Sequence, residues 1–137
     1  MPAMIKTTLL PAVAALGLAF TLFAQSDADY QGWMKDLGAG RGKMQKAIQA
    51  KQGAEAAAEA EKLAVIYKQM IAYWEGRKAD DAIELSKKGH TALTELAAAA
   101  KAGDEAKITA SVQAFGSTCM PCHSAHREGT PGSFKIK

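Results

Sequence analysis

The chain has 137 residues, of which 48% are hydrophobic and 23% are charged, and its formal net charge is +3 with the histidines neutral. This length suits one domain, and its basic residues are interspersed with acidic ones, so nucleic acid is not an expected partner. The two cysteines lie three positions apart. A disulfide that closes so short a loop removes little entropy from the unfolded chain, which argues against a structural bridge.

The first segment of the sequence is strongly apolar. Lys6 precedes the run TTLLPAVAALGLAFTLFA, and the small residues that a signal peptidase accepts follow in AQSDAD. We therefore predict a secretory signal peptide over residues 1–26 and a periplasmic location for the remainder. An uncleaved membrane anchor is the alternative, although the run is marginal in length and contains Pro11 and Gly17.

The residues after this segment show helical patterning. Sustained alternation of apolar and polar residues is absent, so no strands are expected. Glycine and aspartate in QGAE, EGRKADD and KAGDEA divide the chain into four segments. The segments cover about residues 27–51, 54–75, 79–101 and 104–126. Four amphipathic helices with short links predict an all-α antiparallel four-helix bundle over residues 27–128.

Glycines interrupt the pattern of the first predicted helix. Three of them occur within five residues, at Gly38, Gly40 and Gly42. Glycine in a helix interior is unfavourable because its backbone loses more conformational freedom than that of other residues. We therefore expect this helix to bend or to loosen by a turn near its middle.

The fourth segment carries an apolar stripe that includes both cysteines. The stripe consists of Ile108, Val112, Phe115, Cys119, Cys122 and His126, at alternating steps of four and three. Whatever the cysteines hold should therefore lie between helices and away from bulk water. The tail that follows contains Pro131 and two glycines, so residues 129–137 are predicted to be nonhelical and are assigned no chemistry.

The sequence CMPCH at residues 119–123 is the Cys-x-x-Cys-His signature of covalent haem attachment. Two thiols about one helical turn apart can add to the two vinyl groups along one porphyrin edge. The histidine that follows the second cysteine projects its imidazole to the iron. The motif on the last helix therefore predicts one haem c, attached through Cys119 and Cys122, with His123 as an axial iron ligand.

Three other interpretations of these residues stay open. A thioredoxin-like redox pair also uses two cysteines at this spacing, but it belongs to a βαβ unit. A zinc ion would need Cys119, Cys122, His123 and His126 to surround it from a single helix. A disulfide with incidental histidines would leave a haem-free helical bundle.

A single Cys-x-x-Cys-His near the C-terminus of a four-helix bundle resembles the cytochrome c prime superfamily, whereas most small cytochromes c carry the motif near the N-terminus. Arg127 matches the arginine of that family, and His126 stands where relatives have Tyr or Phe. The resemblance covers about residues 27–128. It implies thioethers at both cysteines, His123 as the proximal ligand and a first helix that lies across the distal face of the haem.

The residue of the first helix that faces the iron separates two branches of that family. In the high-spin branch an apolar residue leaves the iron five-coordinate and open to nitric oxide or carbon monoxide. In the low-spin branch a methionine is the sixth ligand, and the protein carries electrons. Met34-Lys35 stands where the Met-ligated members have their methionine, so the resemblance implies Met34 as the sixth ligand. Met44 and His90 are alternatives, and Met34 as plain core is another.

Four further residues near the predicted site have assigned roles. Arg127 is a candidate contact for a haem propionate. His126 either fills the aromatic position, which we favour, or contacts a propionate or the proximal ligand. Trp33 and Trp74 are expected in the core. The leading predicted function is non-enzymatic electron transfer with periplasmic redox proteins as partners. The alternative function is the binding of small gas ligands. The family resemblance also allows a homodimer.

Overall fold

The structure is a computed structural model that describes residues 25–137, so the predicted signal peptide falls almost entirely outside the described residues. Within this range the elements are α1 (Asp27–Gln49), α2 (Gly53–Arg77), α3 (Asp80–Ala102), α4 (Glu105–Ser117), α5 (Cys119–His126), β1 (Arg127–Glu128) and β2 (Lys135–Ile136). Because α5 continues α4 after one residue, the chain forms the predicted all-α four-helix bundle. None of the helices in residues 25–137 is long and apolar enough to cross a membrane.

Capping residues in the sequence set the helix ends. At the start of α1, the Ser26 hydroxyl accepts a hydrogen bond from the Asp29 amide at 3.1 Å, and the Asp29 carboxylate accepts one from the Ser26 amide at 2.9 Å. This reciprocal capping box satisfies two amides that the helix leaves unpaired. Asp104 caps α4 by accepting from the Lys107 amide at 3.1 Å. At the end of α3, Gly103 adopts a left-handed φ of 68°.

The two central helices, α2 and α3, pack most extensively against each other. α1 packs on α2, and α4 packs on α3, but α1 makes few contacts with the fourth helix. Large side chains in the centre alternate with alanines, which allow the helices to approach closely. The largest fully buried residues are Met44, Leu63, Leu93, Leu96 and Ser86. The arrangement leaves a crevice between α1 and the α4–α5 side of the bundle.

No loosened turn interrupts α1, which is one continuous helix from Asp27 to Gln49. Gly40 is buried there, and a Cβ at this position would lie 2.5 Å from Cδ2 of Leu63. A Cβ on Gly42 would meet no heavy atom within 4 Å. The cost of glycine in the helix is thus offset at Gly40 by close packing of α1 on α2.

The prediction of one continuous fourth helix is wrong, because the helix is interrupted at Thr118. The Thr118 amide and hydroxyl both donate to the Phe115 carbonyl, at 3.2 and 2.8 Å, which tightens the last turn of α4. Pro121 has no N–H to donate to the Ser117 carbonyl, so the regular ladder cannot continue across this point. Pro121 instead occupies the first turn of α5, where a missing N–H is tolerated.

The C-terminal tail is nonhelical, but it contains a short antiparallel strand pair, so the expectation of no strands is wrong. Arg127 in β1 lies opposite Ile136 in β2. Gly129 and Gly132 have φ values of 94° and 91°, and these positive values let the chain reverse between the strands. We call residues 127–137 the C-terminal hairpin.

Candidate haem-binding site

The crevice between α1 and the fourth helix contains two cavities. The first, here called the helix cavity, has a volume of about 160 Å³ and is lined by residues from all five helical segments. The second, here called the hairpin cavity, has a volume of about 430 Å³ and extends to the C-terminal hairpin. Both are lined by Met34 from α1 and by Cys122 and His123 from α5. The two cavities therefore form one site.

The predicted attachment residues are brought together at this site. Cys119, Cys122 and His123 are half-buried, and all three line the helix cavity. Both cysteines are free thiols, and Sγ of Cys119 lies 3.8 Å from the carbonyl oxygen of Phe115. Two free thiols and an imidazole that face one largely apolar cavity are the donor set that covalent haem requires. These residues fit the cofactor that the motif predicts.

The surroundings of the motif favour the uncharged forms of its side chains. Burial raises the pKa of the Cys122 thiol to about 11, and the negative charge of Asp81 adds to this effect. Burial also lowers the pKa of the His123 imidazole, and the positive charge of Arg127 lowers it further. At neutral pH His123 is therefore neutral, which is the form of imidazole that binds a metal ion.

The structure separates the three candidates for the sixth ligand. Met34 of α1 lines both cavities, as His123 of α5 does. Met44 is fully buried at 0% exposure and does not line either cavity. His90 lines a separate groove on α2 and α3 and lines neither of the two cavities.

A second methionine, Met70, lies in the site and was not predicted there from the sequence. Met70 of α2 is 3% exposed and lines the helix cavity together with Tyr67, one turn earlier on the same helix. The periodicity of α2 identifies Met70 as a core residue. It does not show whether the side chain faces another helix or a cavity, so the sequence held no signal that would separate Met70 from the rest of the core.

A cluster of aromatic rings lies beside the hairpin cavity. It consists of Tyr30, Trp33, Tyr73, Trp74 and His126. Trp74 is 2% exposed, and its Nε1 donates to the Tyr30 hydroxyl at 2.9 Å. The His126 ring packs on Trp74 with 4.7 Å between centroids, and its Nε2 lies 2.8 Å from Oδ2 of Asp81. His126 thus packs in the aromatic position, as favoured from the sequence, and also binds Asp81.

Arg127 lies at the hairpin end of the site. Its guanidinium carbon is 3.9 Å from the centroid of the Phe134 ring, and both residues line the hairpin cavity. An arginine stacked on an aromatic ring keeps its N–H groups available at the edge of the guanidinium plane. The structure therefore places Arg127 beside the site, and its contact with a haem propionate stays a prediction.

The three tyrosines of the chain make the bundle sensitive to alkali. Burial raises the pKa of Tyr67 to about 12, and burial is also the main cause of the raised pKa of Tyr30 and Tyr73. A phenol with a higher pKa in the folded state binds its proton more tightly there. Its contribution to stability is therefore complete below the ordinary pKa of 10.0 and is lost as the pH rises from that value toward the folded pKa.

We expect the tyrosines to ionise together with unfolding of the bundle, above the pH at which free tyrosine ionises. A pH titration that records phenolate absorbance and far-UV circular dichroism on the same sample checks this expectation. Phenolate absorbance that reaches its full change near pH 10 while the helical signal stays constant would contradict it.

The last helix of the bundle presents the Cys-x-x-Cys-His motif to the helix cavity. The family model for Cytochrome C' matches residues 77–127, which include α3, α4 and α5. The cytochrome c' of Rhodospirillum rubrum is 55% identical over 38 residues, which make up 28% of this chain and 26% of that protein. The match thus spans about a quarter of the length of this relative. No solved structure gives a significant match.

These comparisons confirm the predicted resemblance to the cytochrome c prime superfamily over residues 77–127. The Cys-x-x-Cys-His motif lies within this range and fits one covalent haem c. The residues that hold the haem and its iron belong to the proposal that follows.

Proposed function

We propose that the protein is a periplasmic c-type cytochrome that transfers single electrons and catalyses no reaction of its own. The observation that carries this proposal is that Met34 of α1 and His123 of α5 line the same two cavities. Cys119 and Cys122 attach the haem by thioethers, His123 is the proximal iron ligand, and Met34 is the sixth ligand. Haem c supplies an iron that alternates between its ferric and ferrous states.

The side chains around the helix cavity keep water from the site. This cavity is lined by four side chains that are each no more than 7% exposed, namely Leu37, Tyr67, Met70 and Phe115. A dry, low-dielectric surrounding disfavours the extra positive charge of the ferric state, and a thioether ligand favours the ferrous state as well. Both effects raise the redox potential relative to a solvent-exposed haem with two imidazole ligands.

The helices hold the two proposed ligands in fixed positions. Met34 lies in a helix that packs along α2, and Gly40 allows the close contact between them. His123 lies in α5, whose His126 is tied to Trp74 and Asp81. Ligands on packed elements move little when the iron changes its oxidation state, so the reorganisation that accompanies electron transfer is small.

The proposed partners are periplasmic redox proteins that meet the haem edge in brief encounters. Met120, inside the attachment motif, is 64% exposed and offers an apolar contact beside that edge. The small net charge gives little long-range steering, so association depends on short-range contacts. The proposal includes export through the N-terminal segment, and a homodimer is compatible with it.

Gas binding is the second candidate function. The family model that matches the chain is that of Cytochrome C', and the helix cavity has an apolar wall that includes Leu37 and Phe115. If Met34 packs without reaching the iron, this wall leaves an open position for nitric oxide or carbon monoxide. The difference between the two functions therefore depends on a single side chain.

Absorption spectra of the purified protein, expressed with a haem-attachment system, test both functions. We expect a low-spin ferric spectrum with a charge-transfer band from methionine to iron, and a ferrous spectrum that carbon monoxide changes little. A high-spin spectrum that shifts on adding carbon monoxide would support gas binding instead. A protein that shows no Soret band under these conditions would contradict both functions.

A further inference from the structure

The C-terminal hairpin forms one wall of the site although it lies at the edge of the region that the family explains. The family match ends at residue 127, where the hairpin begins. The hairpin cavity is nevertheless lined by five residues of the C-terminal hairpin, namely Arg127, Gly132, Phe134, Lys135 and Ile136. From the sequence, residues 129–137 were predicted to have no chemical role. In the structure, several of them line the cavity that His123 also lines.

The hairpin is fixed to both sides of the crevice. On one side, Nε2 of Gln31 in α1 donates to the Phe134 carbonyl at 3.3 Å. On the other side, the Lys137 amide donates to the carbonyl of His126 in α5 at 3.1 Å. Arg127 stacks on the Phe134 ring between these two attachments. The hairpin therefore bridges α1 and α5 at an end of the crevice where these helices make few direct contacts.

The lining of the hairpin cavity is strongly biased in charge. Three cationic side chains line this cavity, namely those of Lys35, Arg127 and Lys135, whereas no aspartate or glutamate of residues 25–137 lines it. None of the three cations forms an ion pair within the described part of the chain. Glu128 lies opposite Lys135 in the strand register, yet these two side chains are not paired either. An anion bound in this cavity would be attracted by all three cations.

The rest of the lining is apolar and aromatic, with Trp74, Phe134 and Ile136 among its members. A site of this kind suits a ligand that has a flat apolar body and anionic groups at one edge. Haem has this chemistry, because its two carboxylate side chains extend from one side of the macrocycle. The three cations lie beside His123, which shares the cavity with them.

We propose that Lys35, Arg127 and Lys135 form a carboxylate-binding mouth that holds the two haem carboxylates, so that the C-terminal hairpin is part of the cofactor site. This inference rests on the proposed haem site and adds the residues that orient the cofactor at its anionic edge. Lysine ammonium and arginine guanidinium groups form charge-assisted hydrogen bonds with carboxylates, and the planar guanidinium can bind one in a bidentate manner.

The test uses the full-length haem-loaded protein and its variants Lys135→Gln, Lys35→Gln and Lys135→Arg. Lys137→Gln is the matched control, because it removes the same charge two residues away from Lys135 and does not line the cavity. Resonance Raman spectra report the bending bands of the haem carboxylate side chains, which depend on the hydrogen bonds that these groups accept. The midpoint potential is measured on the same samples.

We expect both glutamine variants at Lys35 and Lys135 to shift these bands toward those of haem in water. Lys135→Arg should restore the bands, and Lys137→Gln should leave them unchanged. A lower potential without any change in the bands would overturn the proposal, since loss of a nearby positive charge explains it without a contact. Equal shifts in Lys135→Gln and Lys137→Gln would overturn it as well.

Two further outcomes separate this proposal from others. A mouth that binds free carboxylates would raise the thermal unfolding midpoint of the wild-type protein, but not of Lys135→Gln, when acetate is added at constant ionic strength. That result would overturn the assignment to the haem carboxylates. A wild-type protein without covalent haem would refute the proposed function, whereas haem-loaded variants with unchanged bands would refute only the carboxylate-binding mouth.

Discussion

Replacing Met34 with leucine is expected to convert the haem from a low-spin, six-coordinate form to a high-spin, five-coordinate form while the haem stays covalently attached. Leucine retains the volume and apolar character of methionine but lacks the sulfur atom that can bind iron. Cys119, Cys122 and His123 lie on a different helix, α5, and are unaffected. The methionine-to-iron charge-transfer band should disappear, and carbon monoxide should bind the ferrous variant.

Met70→Leu is the matched control for this experiment. It makes the same substitution in the lining of the same helix cavity, at a residue that is 3% exposed. We expect Met70→Leu to retain the low-spin spectrum. If Met70→Leu becomes high-spin and Met34→Leu does not, Met70 is the ligand. If both variants stay low-spin, neither methionine binds the iron.

Replacing Gly89 with alanine is expected to destabilise the folded protein by about 1–3 kcal/mol, although alanine has the higher helix propensity. A Cβ at this position would lie 2.2 Å from Cε1 and 2.8 Å from Cζ of Tyr67. The Tyr67 ring is rigid and packs edge-on against Phe115, with 5.9 Å between the ring centroids. It can yield only by moving the wall of the helix cavity, which it lines.

Gly42→Ala is the control for the change in backbone preference. Gly42 also lies within a helix, but a Cβ there would meet nothing within 4 Å. We expect this substitution to stabilise the protein by about 0.5–1 kcal/mol. Urea unfolding of both variants, followed by circular dichroism, provides the comparison. Stabilisation by Gly89→Ala similar to that of Gly42→Ala would show that Tyr67 moves aside at little cost.

The attachment motif and the approximate helix positions could be predicted because the information lies close together in the chain. Cys119, Cys122 and His123 fall within five residues, so their spacing alone indicates the chemistry. Helix ends were predictable where a side chain or a glycine caps the helix, as Asp104 and Gly103 do. Such caps act between residues that are only a few positions apart.

The direction in which a buried side chain points could not be predicted in the same way. Met70 and His90 both lie on the apolar stripes of their helices in the sequence, yet Met70 lines the helix cavity and His90 lines a different groove. Periodicity shows which face of a helix is apolar, whereas the neighbour of each residue depends on how all the helices pack. The position of Met34 was inferred from a family resemblance and not from the pattern.

The break at Thr118 and the C-terminal hairpin escaped prediction for another reason. The apolar stripe continues through Thr118 in register, because α5 follows α4 after a single residue. Each strand of the hairpin has only two residues, which is too short to show an alternating pattern. Pro121 and Gly129 were the local signals, and they indicate a break without saying what structure follows it.

The aromatic cluster beside the hairpin cavity contains both tryptophans of the chain. Trp74 lines the hairpin cavity, and the Trp33 ring lies 6.0 Å from that of Tyr30, which is hydrogen-bonded to Trp74. All the indole fluorescence of the protein therefore originates beside the cofactor site. Haem absorbs light in the range in which indole emits, so energy transfer to it quenches this emission. The intensity of the indole fluorescence therefore reports whether the crevice is folded and contains haem.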